Sequence, residues 1–222
     1  FSEQSHQTEV RDSLNKILSE HCSQELLKEY DANFKHDECL LSLLSANGYL
    51  GLGLNEKYGG SGEDLYDLGI LFERLGYHAA PLSLSGCLVD VAQTIQKFGN
   101  EESCKEILGS IIAGEIYTSA ILEPFNQDPE NPMTTAKIEN DQLIISGTKY
   151  LSEISSMAKS ILISANSSEG VLLVLVESDK VKLTELSSTA NSPLFKVELD
   201  SVRISRESIT HEQGRGLEAL RY

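Results

Sequence analysis

The sequence predicts an α+β fold in which an N-terminal all-helical domain is followed by an antiparallel β-barrel domain. Two observations support this prediction. Apolar residues recur at the three- and four-residue spacing of helices up to residue 114, and from Glu115 onward the period changes to two. The apolar runs after Glu115 are short and are separated by turn residues rather than by helices, which is typical of an antiparallel barrel or sandwich.

Helices in the first half are indicated by apolar stripes with recognisable ends. After a glycine-rich loop, Ser61 and Asp64 have the spacing of a capping box at the start of a helix that Gly76 ends. Asn100 is expected to cap a later helix, which Gly114 closes. The apolar residues that define these stripes include Leu14 and Leu18, Leu40 and Leu44, Leu68, Leu71 and Leu75, Leu88 and Ile95, and Leu108 and Ile111.

Strands in the second half are indicated by short apolar runs at residues 143–145, 161–163 and 171–176. Phe195 and Leu199 belong to a run in which apolar and charged residues alternate, as in a strand with one buried face. We therefore expect residues 1–115 to form a helical domain and residues 116–212 to form the barrel. Residues 213–222 resemble a turn and the start of a further helix, so we expect the chain to be a fragment.

Composition excludes several classes of function. The chain has 18 Lys and Arg against 34 Asp and Glu, a net charge of −16, which argues against a nucleic-acid partner. No apolar run approaches the ~20 residues of a membrane helix, so we predict no membrane insertion. The cysteines have no metal-ligand or paired spacing, which favours a reducing compartment and a cytoplasmic location. They are Cys22, Cys39, Cys87 and Cys104.

No single motif in the sequence identifies a catalytic site. The glycines at 51–53 and 59–62 match no phosphate-binding pattern, and tight turns explain them better. Ser152 and Glu153 have no histidine near them in sequence to form a nucleophilic site. The histidines are dispersed and lack metal-ligand spacing, so no metal site is predicted; they are His6, His21, His36, His78 and His211.

The order and spacing of several segments together resemble the acyl-CoA dehydrogenase family. These segments are residues 49–62, which end in Gly-Gly-Ser-Gly, residues 72–76, residues 98–115, Glu123-Pro124 within 121–124, and Gly-Thr-Lys at 147–149. The resemblance covers nearly the whole chain. It implies a helical N-terminal domain and a middle β-barrel domain, and it implies that the family's third domain, a four-helix bundle beginning near Gly214, is absent from this sequence.

The resemblance implies an oxidoreductase acting on CH–CH donors, which oxidises an acyl-CoA to an enoyl-CoA with FAD as the hydride acceptor. The bundle normally carries the glutamate that abstracts the α-proton. No residue of this chain can be nominated as that catalytic base, and the 222 residues alone are expected to be inactive. The resemblance further implies an acyl-CoA substrate, an electron-transfer acceptor and a homo- or hetero-oligomer.

By the same resemblance, the cofactor-binding positions are Ile121, Leu122, Glu123, Leu151 and Glu153. Family members usually have a threonine at the place of Leu122, and a Trp-Ile-Thr sequence where this chain has residues 151–153. A carboxylate at Glu153 would put negative charge near the FAD ring or diphosphate, which costs several kcal/mol if it is buried and unpaired. Backbone amides of residues 121–123 could still bind flavin.

Three functions follow from this resemblance. The first is a flavin-dependent acyl-CoA dehydrogenase. The second is a flavin-poor, catalytically degenerate subunit of a heteromeric acyl-CoA dehydrogenase, similar to bacterial enzymes for steroid-like thioesters. The third is a non-enzymatic scaffold that reuses the fold. The flavin predictions require Leu122 and Glu153 to line one cleft.

Overall fold

The structure, a computed structural model, describes residues 4–33, 37–62, 64–153, 156–188 and 193–222. The chain divides into two compact units, residues 1–83 with 112–114 and residues 84–111 with 115–222. The helical residues 84–111 therefore group with the strands. The domain boundaries at residues 115 and 212 stay predictions.

The first unit consists of helices around a leucine core. Helix α1 spans Ser5–His21, α2 Gln24–Asn33, α3 Glu38–Ala46 and α4 Leu65–Tyr77, and 3-10 turns span Tyr49–Gly51 and Glu56–Tyr58. Leucines from the predicted stripes are fully buried, since apolar burial drives the packing of amphipathic helices. They include Leu14, Leu18, Leu40, Leu44 and Leu71.

The capping box predicted at Ser61 is wrong. Helix α4 begins at Leu65, and Asp64 is its N-cap, whose Oδ1 accepts a hydrogen bond of 2.8 Å from the Tyr66 amide. Ser61 is held in the preceding turn instead, because both its amide and its hydroxyl donate to the Gly51 carbonyl. The turn interpretation of residues 59–62 is confirmed at Gly60, where a Cβ would lie 2.1 Å from the Leu54 carbonyl oxygen.

The helical part of the second unit contains two π-helical segments that sequence spacing did not reveal. The first spans Gly86–Val91 and continues as α5 (Ala92–Phe98). The second spans Cys104–Leu108 and continues as α7 (Gly109–Ile112). Short α6 (Glu101–Ser103) begins at Asn100, whose Oδ1 accepts from the Ser103 amide at 2.8 Å, so the predicted cap is confirmed. Helix α8 spans Gly216–Arg221.

A seven-stranded sheet forms the rest of the second unit. Its strands are β1 (Tyr117–Ala120), β2 (Thr135–Glu139), β3 (Gln142–Glu153), β4 (Ser160–Ser167), β5 (Gly170–Glu177), β6 (Lys182–Leu186) and β7 (Leu194–Ser205). They follow the order β1-β4-β2-β3-β7-β6, and β5 pairs with β4. The predicted class, an all-helical domain followed by an antiparallel β-barrel domain, is confirmed, and the β part is a curled sheet that forms a half-barrel. The structure adds parallel pairing of β1 and β2 with β4 to an otherwise antiparallel sheet.

A buried histidine fastens the segment before α8 to strand β5. His211 Nε2 accepts from the Leu173 amide at 3.1 Å, and its Nδ1 lies 2.7 Å from the Glu212 carbonyl oxygen. The Thr210 amide also donates to the Leu173 carbonyl. Burial lowers the pKa of His211, and this effect outweighs the hydrogen bond to Glu212. A neutral imidazole is therefore part of the fold.

Among the helices that the structure describes, none is both long and apolar enough to cross a bilayer.

Candidate functional site

A buried ion pair joins two of the segments that carry the family resemblance. Lys149 on β3 is 0% exposed and donates from Nζ to Glu123 Oε1 at 2.8 Å and to Ser164 Oγ at 3.0 Å. The same ammonium lies 3.3 Å from the Ile121 carbonyl oxygen. A buried ammonium must have acceptors of this kind, so Lys149 ties the chain after β1 to β3 and β4.

The Glu123 carboxylate accepts further hydrogen bonds from the loop before β2. The amides of Met133 and Thr134 donate to it at 2.5 and 2.8 Å, and Asn126 Nδ2 donates at 3.0 Å. Burial alone raises the pKa of Glu123, but the hydrogen bonds from Lys149, Thr134, Asn126 and Met133 outweigh it and lower the pKa from 4.5 to about 2. We call Glu123 and Lys149 the buried ion pair.

Gly147 is required by a close backbone approach next to the buried ion pair. A Cβ at this position would lie 2.4 Å from Thr134 Oγ1 and 2.8 Å from Thr134 Cα. Any side chain would push the loop at Thr134 away from β3, together with the amide that binds Glu123. The Gly-Thr-Lys segment is thus explained by packing and charge within the sheet.

A cleft of about 260 Å³ opens beside the buried ion pair, within the second unit. Ser85 and the π-helical segment that follows it form one wall, with Gly86 and Asp90. The other lining residues come from β1, the chain after it and the end of β3. Its lining residues are Thr118, Ser119, Ile121, Leu122, Tyr150 and Glu153.

Four serine and threonine hydroxyls around the cleft already donate to protein acceptors. Thr118 Oγ1 donates to the Glu153 carbonyl at 2.8 Å, and Ser85 Oγ donates to Glu153 Oε2 at 3.2 Å. Ser119 Oγ donates to Asp90 Oδ2, and Ser152 Oγ donates to the Ser119 carbonyl at 2.7 Å. A ligand in the cleft would have to compete with these bonds for the protons of these four hydroxyls; Tyr150, which also lines the cleft, carries a further hydroxyl.

The cleft does not fit FAD, the cofactor that the resemblance implies. Two carboxylates, Asp90 and Glu153, line the cleft, and none of the described lining residues is a lysine, arginine or histidine. FAD carries an anionic diphosphate and a flavin ring with several acceptor atoms, so it requires cations or free donors.

The predicted cofactor-binding residues have different locations. Ile121, Leu122 and Glu153 line the cleft, so Leu122 and Glu153 border the same cavity as the flavin prediction required. The Glu123 side chain is instead nine-tenths buried in the ion pair. The side chain of Leu151 lies outside the described residues. The role of these residues in flavin binding stays a prediction.

Sequence reasoning missed the residues that the helical segment contributes to the cleft. Ser85, Gly86 and Asp90 are about thirty residues or more from the other lining residues in sequence. Their only sequence signal was Gly86 inside an apolar helical stripe, where a glycine indicates a close approach. A Cβ at Gly86 would lie 2.8 Å from Thr118 Oγ1, so this glycine allows the helix to touch β1.

A cluster of potential metal ligands occurs in the first unit. Ligand atoms of His6, Asp64 and Asp67 all lie within 4.8 Å of one another. Helix capping explains Asp64, which also accepts from Gln7 Nε2 at 3.3 Å, and His6 Nε2 lies 3.5 Å from Asp67 Oδ2. Sequence spacing could not indicate this cluster, because α1 and α4 bring together residues far apart in the chain.

Comparison with known proteins gives a consistent family. The family model "Acyl-CoA dehydrogenase, N-terminal domain" matches residues 4–115. Acyl-CoA dehydrogenase FadE12 of Mycobacterium tuberculosis is 26% identical over 186 residues, which cover 78% of this chain and 48% of FadE12. The chain thus spans about half the length of this relative.

Solved structures agree with the sequence matches. A variant of the Tcur3481-Tcur3483 steroid acyl-CoA dehydrogenase (ACAD) has a TM-score of 0.85 and 28% identity, over 97% of this chain and 59% of that chain. The ChsE4-ChsE5 complex from Mycobacterium tuberculosis has a TM-score of 0.89 at 19% identity, over 99% of this chain and 60% of that chain. The second likeness concerns the fold alone.

Proposed function

Because the chain belongs to the acyl-CoA dehydrogenase family, we propose that it forms part of an oxidoreductase that converts an acyl-CoA thioester to an enoyl-CoA. In this reaction one proton leaves the α-carbon and one hydride leaves the β-carbon, and a carbon–carbon double bond forms. The observation that supports this proposal is the convergence of the 121–124 and 147–149 segments in the buried ion pair beside one cleft.

Two arrangements of the cofactor are compatible with the family. In the first, the chain holds FAD in its own cleft and is a flavin-dependent dehydrogenase. In the second, the chain is a flavin-poor subunit, and a partner subunit supplies FAD and the catalytic base. The carboxylates of Asp90 and Glu153 in the cleft favour the second arrangement, because they repel an anionic cofactor.

We further propose a hetero-oligomer whose substrate is a bulky, steroid-like acyl-CoA. Similarity to the Tcur3481-Tcur3483 steroid ACAD supports both parts of this proposal. Electrons would leave through a separate electron-transfer acceptor. A cytoplasmic location stays a prediction.

The test uses the full-length protein, purified alone and after co-expression with a flavin-bearing acyl-CoA dehydrogenase subunit. We expect the protein alone to be colourless. It should still carry no bound flavin after FAD has been added and the free FAD removed. The co-expressed assembly is expected to carry fewer flavins than chains and to reduce an artificial electron acceptor when steroid-type acyl-CoA is added. Flavin absorbance per chain and acceptor reduction are the measurements.

Each arrangement has an outcome that contradicts it. A homo-oligomer of this protein with one flavin per chain contradicts the flavin-poor arrangement. A colourless protein contradicts the first arrangement. An assembly that binds acyl-CoA but never oxidises it, with any acceptor, contradicts the oxidoreductase proposal as a whole; the flavin-bearing subunit alone serves as the control.

A further inference from the structure

We infer that Asp90 and Glu153 determine cofactor specificity in this chain: together they exclude FAD from the cleft between the first π-helical segment and the end of β3. This inference rests on the proposed function and deepens it, because it identifies the residues that make the subunit flavin-poor. We call Asp90 and Glu153 the carboxylate pair.

Hydrogen bonds from Ser85 and Thr118 help to hold Glu153 at the cleft. Ser85 Oγ donates to its carboxylate at 3.2 Å, and Thr118 Oγ1 donates to its backbone carbonyl at 2.8 Å. The first bond connects the helical wall to the end of β3, and the second connects β1 to β3. The bond from Thr118 positions the Glu153 backbone, and the bond from Ser85 directs its carboxylate toward the cleft wall.

Asp90 reaches the same cleft from the π-helical segment. Its Oδ2 accepts a hydrogen bond from Ser119 Oγ on β1. The contact of Gly86 with Thr118 brings the backbone of this segment against β1, so that Asp90 faces the strand. Two carboxylates thus enter one small cavity from two different elements.

The other described lining residues include no cation that could offset this charge; the donors they offer FAD are the Tyr150 hydroxyl and backbone amides. Leu122 is 51% exposed beside Glu153 and has no hydrogen-bond donor in its side chain. The hydroxyls of Ser85, Thr118 and Ser119 donate to protein acceptors. Since like charges brought together in an interface are strongly unfavourable, a diphosphate near the carboxylate pair is repelled.

The carboxylate pair can be neutralised without loss of packing. Asp90 is exposed and Glu153 is partly exposed. Asn and Gln have nearly the same shape as Asp and Glu, and their carbonyl oxygens can still accept the bonds from Ser119 and Ser85. A change in FAD affinity in such variants would therefore report on charge and on new amide donors.

The test is a titration of the full-length protein with FAD, in which binding is measured by the quenching of flavin fluorescence. The variants are wild type, Asp90→Asn with Glu153→Gln, and a control, Glu185→Gln with Asp200→Asn, in which both residues are exposed on β6 and β7. Both double variants change the net charge of −16 by the same two units. Thermal unfolding of each variant checks that it is folded.

We expect the cleft variant to bind FAD at least roughly tenfold more tightly than wild type, a change of about 1.4 kcal/mol. The control is expected to match wild type. The difference should shrink as salt is raised, because the repulsion is electrostatic.

Two results would overturn the inference. One is wild-type protein that binds one FAD per chain; the other is a folded cleft variant that binds FAD no better than the control. Acyl-CoA oxidation by the co-expressed wild-type assembly is a separate measurement. It can succeed or fail independently of the titration, so failure of this inference is distinguishable from failure of the proposed function.

Discussion

At the residue scale, Lys149 is the least expected feature of the second unit, since a lysine is seldom fully buried. It is tolerated because Glu123, Ser164 and the Ile121 carbonyl surround its ammonium with acceptors. The sequence indicated Lys149 only as part of a family motif. Its burial and its partners depend on the pairing of β3 with neighbouring strands, which residue patterns alone do not reveal.

Substituting Lys149→Met should lower the free energy of unfolding by about 3 kcal/mol. The substitution leaves the Glu123 carboxylate buried without its cation, although three donors from the 126–134 loop remain. Urea denaturation measures the change. The matched control is Lys137→Met, which removes an exposed ion pair with Glu139 and should cost less than about 1 kcal/mol. Equal losses in the two variants would contradict a stabilising role for the buried ion pair.

The stability of the fold should fall in acid because of Glu123. Its pKa is about 2 in the folded chain against 4.5 ordinarily, so the folded state favours the ionised form. This contribution is fully present above about pH 4.5 and is lost as the pH falls toward 2, with a total of at most about 3 kcal/mol. Urea denaturation between pH 2 and 6 measures it. A Glu123→Gln variant should lack this part of the acid dependence, and an unchanged pH profile would refute the assignment.

At the scale of elements, Gly86 determines how the first π-helical segment meets β1. Sequence spacing predicted a helix here, and the helix is present, but its widened turns are not visible in the spacing of apolar residues. Such π segments are frequent at functional sites, and this one contributes Asp90 to the cleft.

Substituting Gly86→Ala should destabilise the protein by about 1–3 kcal/mol, because the added Cβ would lie 2.8 Å from Thr118 Oγ1. Gly69, in the interior of α4, is the control. A Cβ there meets nothing within 4 Å, so Gly69→Ala should stabilise by up to about 1 kcal/mol. Thermal unfolding measures both changes. A neutral or stabilising Gly86→Ala would show that the contact with β1 is not tight.

Elements were predictable where periodicity and caps agree. The Asn100 cap and the strands at 161–163 and 171–176 are present, because local hydrogen bonds and apolar alternation determine them. The start of α4 was misplaced by three residues, because Ser61 binds the Gly51 carbonyl instead of capping the helix. Parallel pairing of β1 with β4 could not be predicted, since nearly forty residues separate the two strands.

At the scale of the whole molecule, the net charge of −16 should make stability depend on salt. Repulsion among exposed carboxylates destabilises the compact state, and salt screens it over about 10 Å at 0.1 M. We expect the thermal midpoint to rise by a few °C between about 0.01 and 0.1 M NaCl. Differential scanning calorimetry measures it. A falling midpoint would mean that attractive pairs such as Arg206 with Glu169 dominate instead.

The candidate site was predictable only in part. Family motifs led to Ile121, Leu122 and Glu153, which line one cleft. They also led to Glu123, whose side chain is engaged in the buried ion pair, and they gave no indication of Asp90. The motifs of a family reflect both packing and chemistry, and only the three-dimensional structure shows which of the two a motif residue serves. Here Glu123, Gly147 and Lys149, which match the family motifs, serve packing, and the departures at Leu122 and Glu153 line the cleft.

The neutral imidazole of His211 gives the segment around α8 its own sensitivity to acid. A protonated ring cannot accept the Leu173 amide, and the pKa is lowered in the folded chain. Stability from this contact is therefore present above about pH 6.5 and is lost below it. Near pH 5, hydrogen exchange should show that residues 209–221 open well before the central strands. At pH 8 the same residues should open less readily than they do at pH 5. Simultaneous exchange of both regions at pH 5 would contradict this. Mild acidity would then separate residues 209–221 from β5 while the sheet itself stays folded.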